Sequence, residues 1–178
     1  VLDTSVPNIT AINFNTDGGA PIASVTGEAG KATAQPPVPE KAGYTFLGWS
    51  PAFPATFPEN DITITALWQI NTFNANFVVD GNPYSTVPTQ YGSLISAPAN
   101  PVKTGYTFTG WSPAVGTMGP SDTTYTALFT INSYNAYFVV DGEVYDQAVT
   151  EFGAQIQIPF EPYKTGYTFT GWSPQPGV

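Results

Sequence analysis

The sequence predicts a mainly β chain, α+β at most, built as a tandem array of one small module. Three observations carry this prediction. One nine-residue segment occurs three times at near-constant spacing. The chain holds 17 Gly and 18 Pro in 178 residues, which interrupts helices and supplies turns. Apolar residues also alternate with polar ones in short runs, the period of a strand with one covered face.

The repeat comes first, because self-similarity decides architecture before any local pattern does. Gly-Tyr-Thr-Phe-Leu-Gly-Trp-Ser-Pro at 43–51 returns at 105–113 and 166–174 with Thr in place of Leu. Trp49, Trp111 and Trp172 are therefore 62 and 61 residues apart. Pro36 and Pro39 recur as Pro98 and Pro101, then as Pro159 and Pro162, and Lys41 recurs as Lys103 and Lys164. Phe-Val-Val-Asp-Gly at 77–81 matches 138–142, with 14–18 a looser relative. The segment 63–68 matches 124–129 and has no third counterpart. These landmarks place the repeats at 8–69, 70–130 and 131–178, the third lacking its last strand. Val1–Ser5 do not resemble that strand, so no circular permutation is visible.

Within the second repeat each element has a reason. Ala75, Phe77 and Val79 alternate with Asn74, Asn76 and Val78, which predicts a strand. Asp80-Gly81 supplies a pair able to take φ > 0 and predicts a tight hairpin. A second strand follows through Tyr84 and Val87 toward Tyr91-Gly92. The apolar piece Leu94-Ile95-Ser96-Ala97 is stopped by Pro98 and Pro101, leaving room for one helical turn at most. A third strand runs from Tyr106 to Trp111. Phe108 and Trp111 fall on opposite faces of a regular strand, so a bulge at Gly110 is expected to bring both to the core. The last strand, from Thr124 to Phe129, turns Tyr125, Ala127 and Phe129 inward. Four strands in about 60 residues make a marginal core. Aromatic residues, 15% of the chain, must supply most of the burial.

Composition excludes several functions. The formal charge is −9, from 13 acids against four Lys and no Arg. That sign repels phosphate backbones and anionic lipid surfaces, so no nucleic-acid partner is expected. No apolar run reaches the roughly 20 residues needed to span a bilayer. With no Cys and no His, thiolate and imidazole chemistry is closed and a zinc site would need carboxylates alone. No enzyme activity and no cofactor are expected. The densest acidic group, Asp141, Glu143, Asp146 and Glu151, keeps only its hairpin Asp in the second repeat, as Asp80, and is read as a solvated turn. The chain opens on Val1 and not Met, which is read as a piece of a longer protein.

The Gly-Tyr-Thr-Phe-x-Gly-Trp segment, the preceding Pro-x-x-Pro-x-Lys and the closing Thr-Ala-Leu-Trp/Phe resemble the Listeria–Bacteroides repeat, the internalin B-repeat family of bacterial surface proteins. The resemblance covers nearly the whole chain. Ser-Pro follows Gly-Trp in every copy where that family often has Tyr. The resemblance implies β-grasp-like modules: a mixed four-stranded sheet crossed by a short helix or loop, with the closing strand central and parallel to the first. It also implies an extracellular, cell-surface setting in stalks of wall-attached or adhesive proteins. A third repeat without that strand would leave unpaired backbone, to be completed by a longer chain or by another molecule.

The functional expectation is a non-catalytic spacer, stalk or adhesion module, with a glycan- or receptor-binding module and a strand-donating fibre subunit as alternatives. Trp49, Trp111 and Trp172 are the candidate ligand-binding residues, since aromatic rings stack on sugars, although their core-like neighbours favour packing. The candidate partners are a host or surface glycan or protein, and a second copy reached through the third repeat. Lys41, Lys103 and Lys164 are expected to lie over the following Tyr. The links Gln69-Ile70-Asn71 and Thr130-Ile131-Asn132 are too short and too apolar for free tumbling.

Overall fold

The computed structural model describes residues 6–177. Val1–Ser5, for which no permuted strand was expected, lie outside them, as does Val178. All regular structure among the described residues is strand, in ten elements. The first repeat contributes β1 (Ile9–Asn15), β2 (Val25–Glu28), β3 (Tyr44–Ser50) and β4 (Ile62–Ile70). The second contributes β5 (Thr72–Val79), β6 (Asn82–Gln90), β7 (Tyr106–Ser112) and β8 (Thr123–Ile131). The third contributes β9 (Ser133–Val140) and β10 (Glu143–Glu151).

The first sheet has the order β2-β1-β4-β3 and the second the matching order β6-β5-β8-β7. In the first, β1 runs antiparallel to β2 and parallel to β4, with Ile12 opposite Ile62 and Phe14 opposite Ile64. The closing strand is thus central and parallel to the first, as expected. A parallel pair needs a long crossover, and residues 16–61 provide it. One carboxylate sits beside the parallel seam in each copy. Asp61 Oδ1 accepts the Ala11 N–H at 2.7 Å, and Asp122 Oδ1 accepts the Asn74 N–H at 2.7 Å.

The hairpin and the bulge form where the residues place them. Asp80 and Gly81 have φ of 49° and 80°, and Asp141 and Gly142 have 52° and 91°, so each pair turns a two-residue hairpin. The register of β7 on β8 shifts between Phe108 and Gly110, and that of β3 on β4 between Phe46 and Gly48. Gly48 and Gly110 sit at φ of 135° and 148°, a region L side chains rarely adopt. The bulge carries Trp111 to within 5.3 Å of Phe108, measured between ring centroids.

The helical turn considered at Leu94–Ala97 does not form. The Ile95 N–H donates to the Gly116 carbonyl and Leu94 bridges Thr117, so the segment is held extended against the loop before β8. The first repeat does the same, with Ala32 bridging Thr56. Extended pairing satisfies these backbone groups where two flanking prolines leave a helix no length to propagate.

By contact density the chain divides into two compact units. One holds the first repeat with residues 72–76, 86–96 and 116–124; the other holds the rest of the second repeat and the third. In the first unit Ile12 and Ile64 are fully buried, and Trp49 packs on Phe14 and Phe46 at 5.1 and 5.2 Å. Ala75, Ile95 and Met118 are also buried there. In the second unit Phe77 is 1% exposed between Trp111 at 4.8 Å and Tyr125 at 5.1 Å.

The third repeat departs further from a full module than the missing last strand alone predicts. Its sheet has two strands, β10 and β9. Residues 167–172 carry the sequence that makes β3 and β7, yet form no strand. The cause is pairing: β3 and β7 bond only to β4 and β8, and with no such neighbour the segment has nothing to form a ladder with.

Candidate functional site

The three Trp residues expected as ligand platforms are half-buried, and each is packed against other rings. Trp49 touches Phe14 and Phe46, and Trp111 touches Phe77, Phe108 and Tyr84. Trp172 touches Phe138, Phe169 and Tyr145. They occur one per repeat, and a bulge beside them holds Trp49 and Trp111.

The recurring lysine completes a small surface device. Lys41, Lys103 and Lys164 place Nζ 4.5, 4.7 and 4.6 Å from the ring centroids of Tyr44, Tyr106 and Tyr167. Each also meets the hairpin Asp of its own repeat: Asp17 at 3.7 Å, Asp80 at 2.8 Å and Asp141 at 2.8 Å. Asp141, the one recurring member of the acidic group, is thereby taken up by Lys164. These pairs are solvent-exposed, so each contributes about 0.2–1 kcal/mol.

The most constructed feature of the chain is a joint between consecutive repeats, which sequence reasoning did not single out. The linkers expected at Gln69-Ile70-Asn71 and Thr130-Ile131-Asn132 shrink to one residue, because Ile70 still belongs to β4 and Ile131 to β8. Only Asn71 and Asn132 stand between strands. Around Asn71 the backbone groups and the side-chain oxygen are engaged locally. Its N–H donates to the Gly43 carbonyl at 2.9 Å, and its carbonyl accepts the Tyr91 N–H at 2.9 Å. Its side-chain oxygen accepts the Thr45 hydroxyl at 2.6 Å.

Above Gly43 lies the Tyr91 ring, so close that a Cβ on Gly43 would meet it at 2.2 Å. Tyr91 also meets Tyr44 edge-on at 5.8 Å. An aromatic knob from the second repeat therefore fills a glycine socket on the first.

The next joint repeats every contact. The Asn132 N–H donates to the Gly105 carbonyl, and its carbonyl accepts the Phe152 N–H, both at 2.8 Å. Its side chain accepts the Thr107 hydroxyl at 2.6 Å. A Cβ on Gly105 would meet the Phe152 ring at 2.0 Å, and Phe152 stands edge-on to Tyr106 at 6.4 Å. The sequence signal was present in the recurrence of Gly43/Gly105, Asn71/Asn132 and Tyr91/Phe152, but nothing local says that these three positions meet.

A tandem array of mixed four-stranded sheets, joined by single residues and ordered by glycine sockets, defines a class of repeat protein. The profile of the Listeria-Bacteroides repeat domain matches residues 11–66, 72–130 and 134–177, and the chain belongs to that family. Two relatives in Evansella cellulosilytica, provisionally named as a membrane protein and a Gly-rich membrane protein, are 29% and 30% identical. Each alignment covers 93% of this chain, and 29% and 21% of the respective relative. Internalin H of Listeria monocytogenes is 36% identical over 138 residues, 67% of this chain and 25% of internalin H. The chain thus spans less than a third of the length of these relatives. Among solved structures, streptococcal high identity repeats in tandem (SHIRT) domains 3-4, from a cell surface protein, match at 13% identity and a TM-score of 0.24. That match covers 70% of this chain and 98% of the other.

Proposed function

We propose that this chain is a non-catalytic repeat region of a bacterial surface protein, acting as a spacer that carries other parts of its protein away from the cell. The observation that carries the reading is the joint. A single-residue link with its N–H, carbonyl and side-chain oxygen bonded, and with an aromatic ring seated beside it, opposes bending between neighbours. Flexible linkers of Gly and Ser do the opposite. The names of the relatives, an internalin and two membrane proteins, support a surface setting. The working module boundaries are 8–69, 70–130 and 131–178, with the links Asn71 and Asn132 within two residues of the cuts.

The test is backbone ¹⁵N relaxation with X-ray scattering on the same sample. Shared rotational diffusion on the two sides of Asn71, and likewise of Asn132, is the expected result. Independent tumbling across these residues would remove the spacer reading.

A second reading, association through the third repeat, rests on β9. One edge of this strand has no neighbour among the described strands, and Tyr134, Tyr137 and Val139 are about half exposed on it. A cleft of about 350 Å³ lies between it and residues 172–177, and the buried Trp172 indole N–H beside that cleft has no partner. Light scattering over a hundredfold concentration range distinguishes the readings: constant single-chain mass favours the spacer, and rising mass favours strand exchange between molecules. Adhesion to glycans through Trp49, Trp111 and Trp172 predicts a change of tryptophan fluorescence on a polysaccharide panel, and an unchanged spectrum would sink that role.

A further inference from the structure

Each joint has a direction, because the socket belongs to the earlier repeat and the knob to the later one. The knob always stands in the same turn. Gln90-Tyr91-Gly92 and Glu151-Phe152-Gly153 are closed by the Ser93 and Ala154 N–H groups, which donate to the Gln90 and Glu151 carbonyls at 3.0 Å. The first repeat has this turn as well, as Glu28-Ala29-Gly30, closed by the Lys31 N–H on the Glu28 carbonyl at 3.0 Å. Gly30, Gly92 and Gly153 share φ of 80°, 74° and 79°.

The linker residue is also present ahead of the first repeat. Asn8 accepts the Ala29 N–H at 2.8 Å, as Asn71 accepts that of Tyr91 and Asn132 that of Phe152. The knob turn and its bond to the linker asparagine are therefore kept in the first repeat, but not the ring. Ala29 stands at the knob position, and the Asn8 amide is turned onto the Glu59 carbonyl of its own module.

Gly166 is the third repeat's counterpart of the two sockets. Gly166 sits at φ of 81°, as Gly43 and Gly105 sit at 77°, but a Cβ there would meet nothing within 4 Å. Tyr167, with no paired strand beside it, is 72% exposed, whereas Tyr44 and Tyr106, each paired to a neighbouring strand and met by a knob, are half-buried.

We infer that this chain is a polar array in which each repeat offers a glycine socket to the repeat after it, and whose first repeat lacks the knob. Gly166 and Tyr167 form a docking surface for a further repeat module bearing an Asn linker and a Glx-(Tyr/Phe)-Gly turn. A second copy of this chain does not fit it through its first repeat, because Ala29 has no ring to fill the glycine. By the same argument, a module placed before Asn8 is joined loosely, and bending concentrates there. This goes beyond the spacer reading and stands whether or not the array serves as a spacer.

Nuclear magnetic resonance of the full chain tests the socket. A ring seated on glycine shifts the Gly43 and Gly105 Hα resonances upfield, and Gly166 Hα is expected near its ordinary position. Tyr91→Ala should abolish the Gly43 shift and lower protection of the Asn71 amide about tenfold, while Tyr91→Phe, the ring of the second joint, leaves both unchanged. An unshifted Gly43, or a shift that survives Tyr91→Ala, would overturn the socket.

The polarity is tested by placing an additional copy of residues 72–131 directly before Asn8 in the full chain, with and without Ala29→Tyr. The added module should tumble independently with Ala29 and together with the first repeat once Tyr replaces it. Locked tumbling with Ala29, or free tumbling with Ala29→Tyr, would overturn the assignment of the knob. The extended chain that keeps Ala29, loose at this joint and rigid at its other two, would fit both the inference and the spacer. Looseness at all three would reject the spacer alone, provided the ring shifts remain.

Discussion

A glycine shared by every repeat acquires different costs from its surroundings. Gly43, Gly105 and Gly166 have nearly the same φ, yet only the first two lie under a ring. Substitution by alanine adds backbone strain at all three, of about 1–3 kcal/mol. At Gly43 and Gly105 it also collides with Tyr91 or Phe152. Urea denaturation of the three Gly→Ala variants should therefore rank Gly166→Ala as the mildest, and equal losses would mean that the rings are not seated. The lysine device behaves oppositely. Lys103→Met removes an exposed ion pair with Asp80 and a charge over Tyr106, so less than about 1 kcal/mol should be lost, and the difference should shrink in high salt. The lysine's place over tyrosine was legible from one recurring position. Its partner Asp was not, because the hairpin approaches it only after the crossover folds back.

Among the elements, the strand between glycine and proline was read correctly because it contains a conflict. Phe108 and Trp111 cannot share a face of a regular strand, and Gly110 is the one residue between them that relieves this without strain. Gly110→Ala should cost about 1–3 kcal/mol and move Trp111 away from Phe77, seen as a red-shifted tryptophan emission. Emission and stability matching the unaltered chain would show that the bulge does not need glycine. The segment at Leu94–Ala97 was ambiguous for the opposite reason. Four residues between turns have too little length to commit to a helix or a bridge, and a loop from the other side of the module decided it through Gly116 and Thr117. The same dependence on a partner explains residues 167–172, which repeat a strand sequence without becoming a strand.

At the scale of the whole molecule, those dependences predict an uneven stability. The paired central strands β1 and β4 are flanked on both sides, and β9 is flanked on one. Hydrogen exchange should therefore release the amides of β9 and β10 well before those of β1 and β4. Uniform protection would mean that the third repeat is as cooperative as the first. Periodicity along the chain was sufficient for the number of repeats, the strands of the first two, the Asp-Gly hairpins and the family they belong to. These follow from local alternation and from residues that recur at one spacing. Periodicity could not reveal the joints, because Gly43, Asn71 and Tyr91 lie far apart along the chain and belong to two different repeats. Their meeting is a consequence of the antiparallel pairing of β3 on β4, which sets Ile70 at the end of β4 beside Tyr44 at the start of β3 and hands the chain to the next module through one asparagine. That Gly43 and Gly105 become sockets was settled only by the packing of one folded module on another.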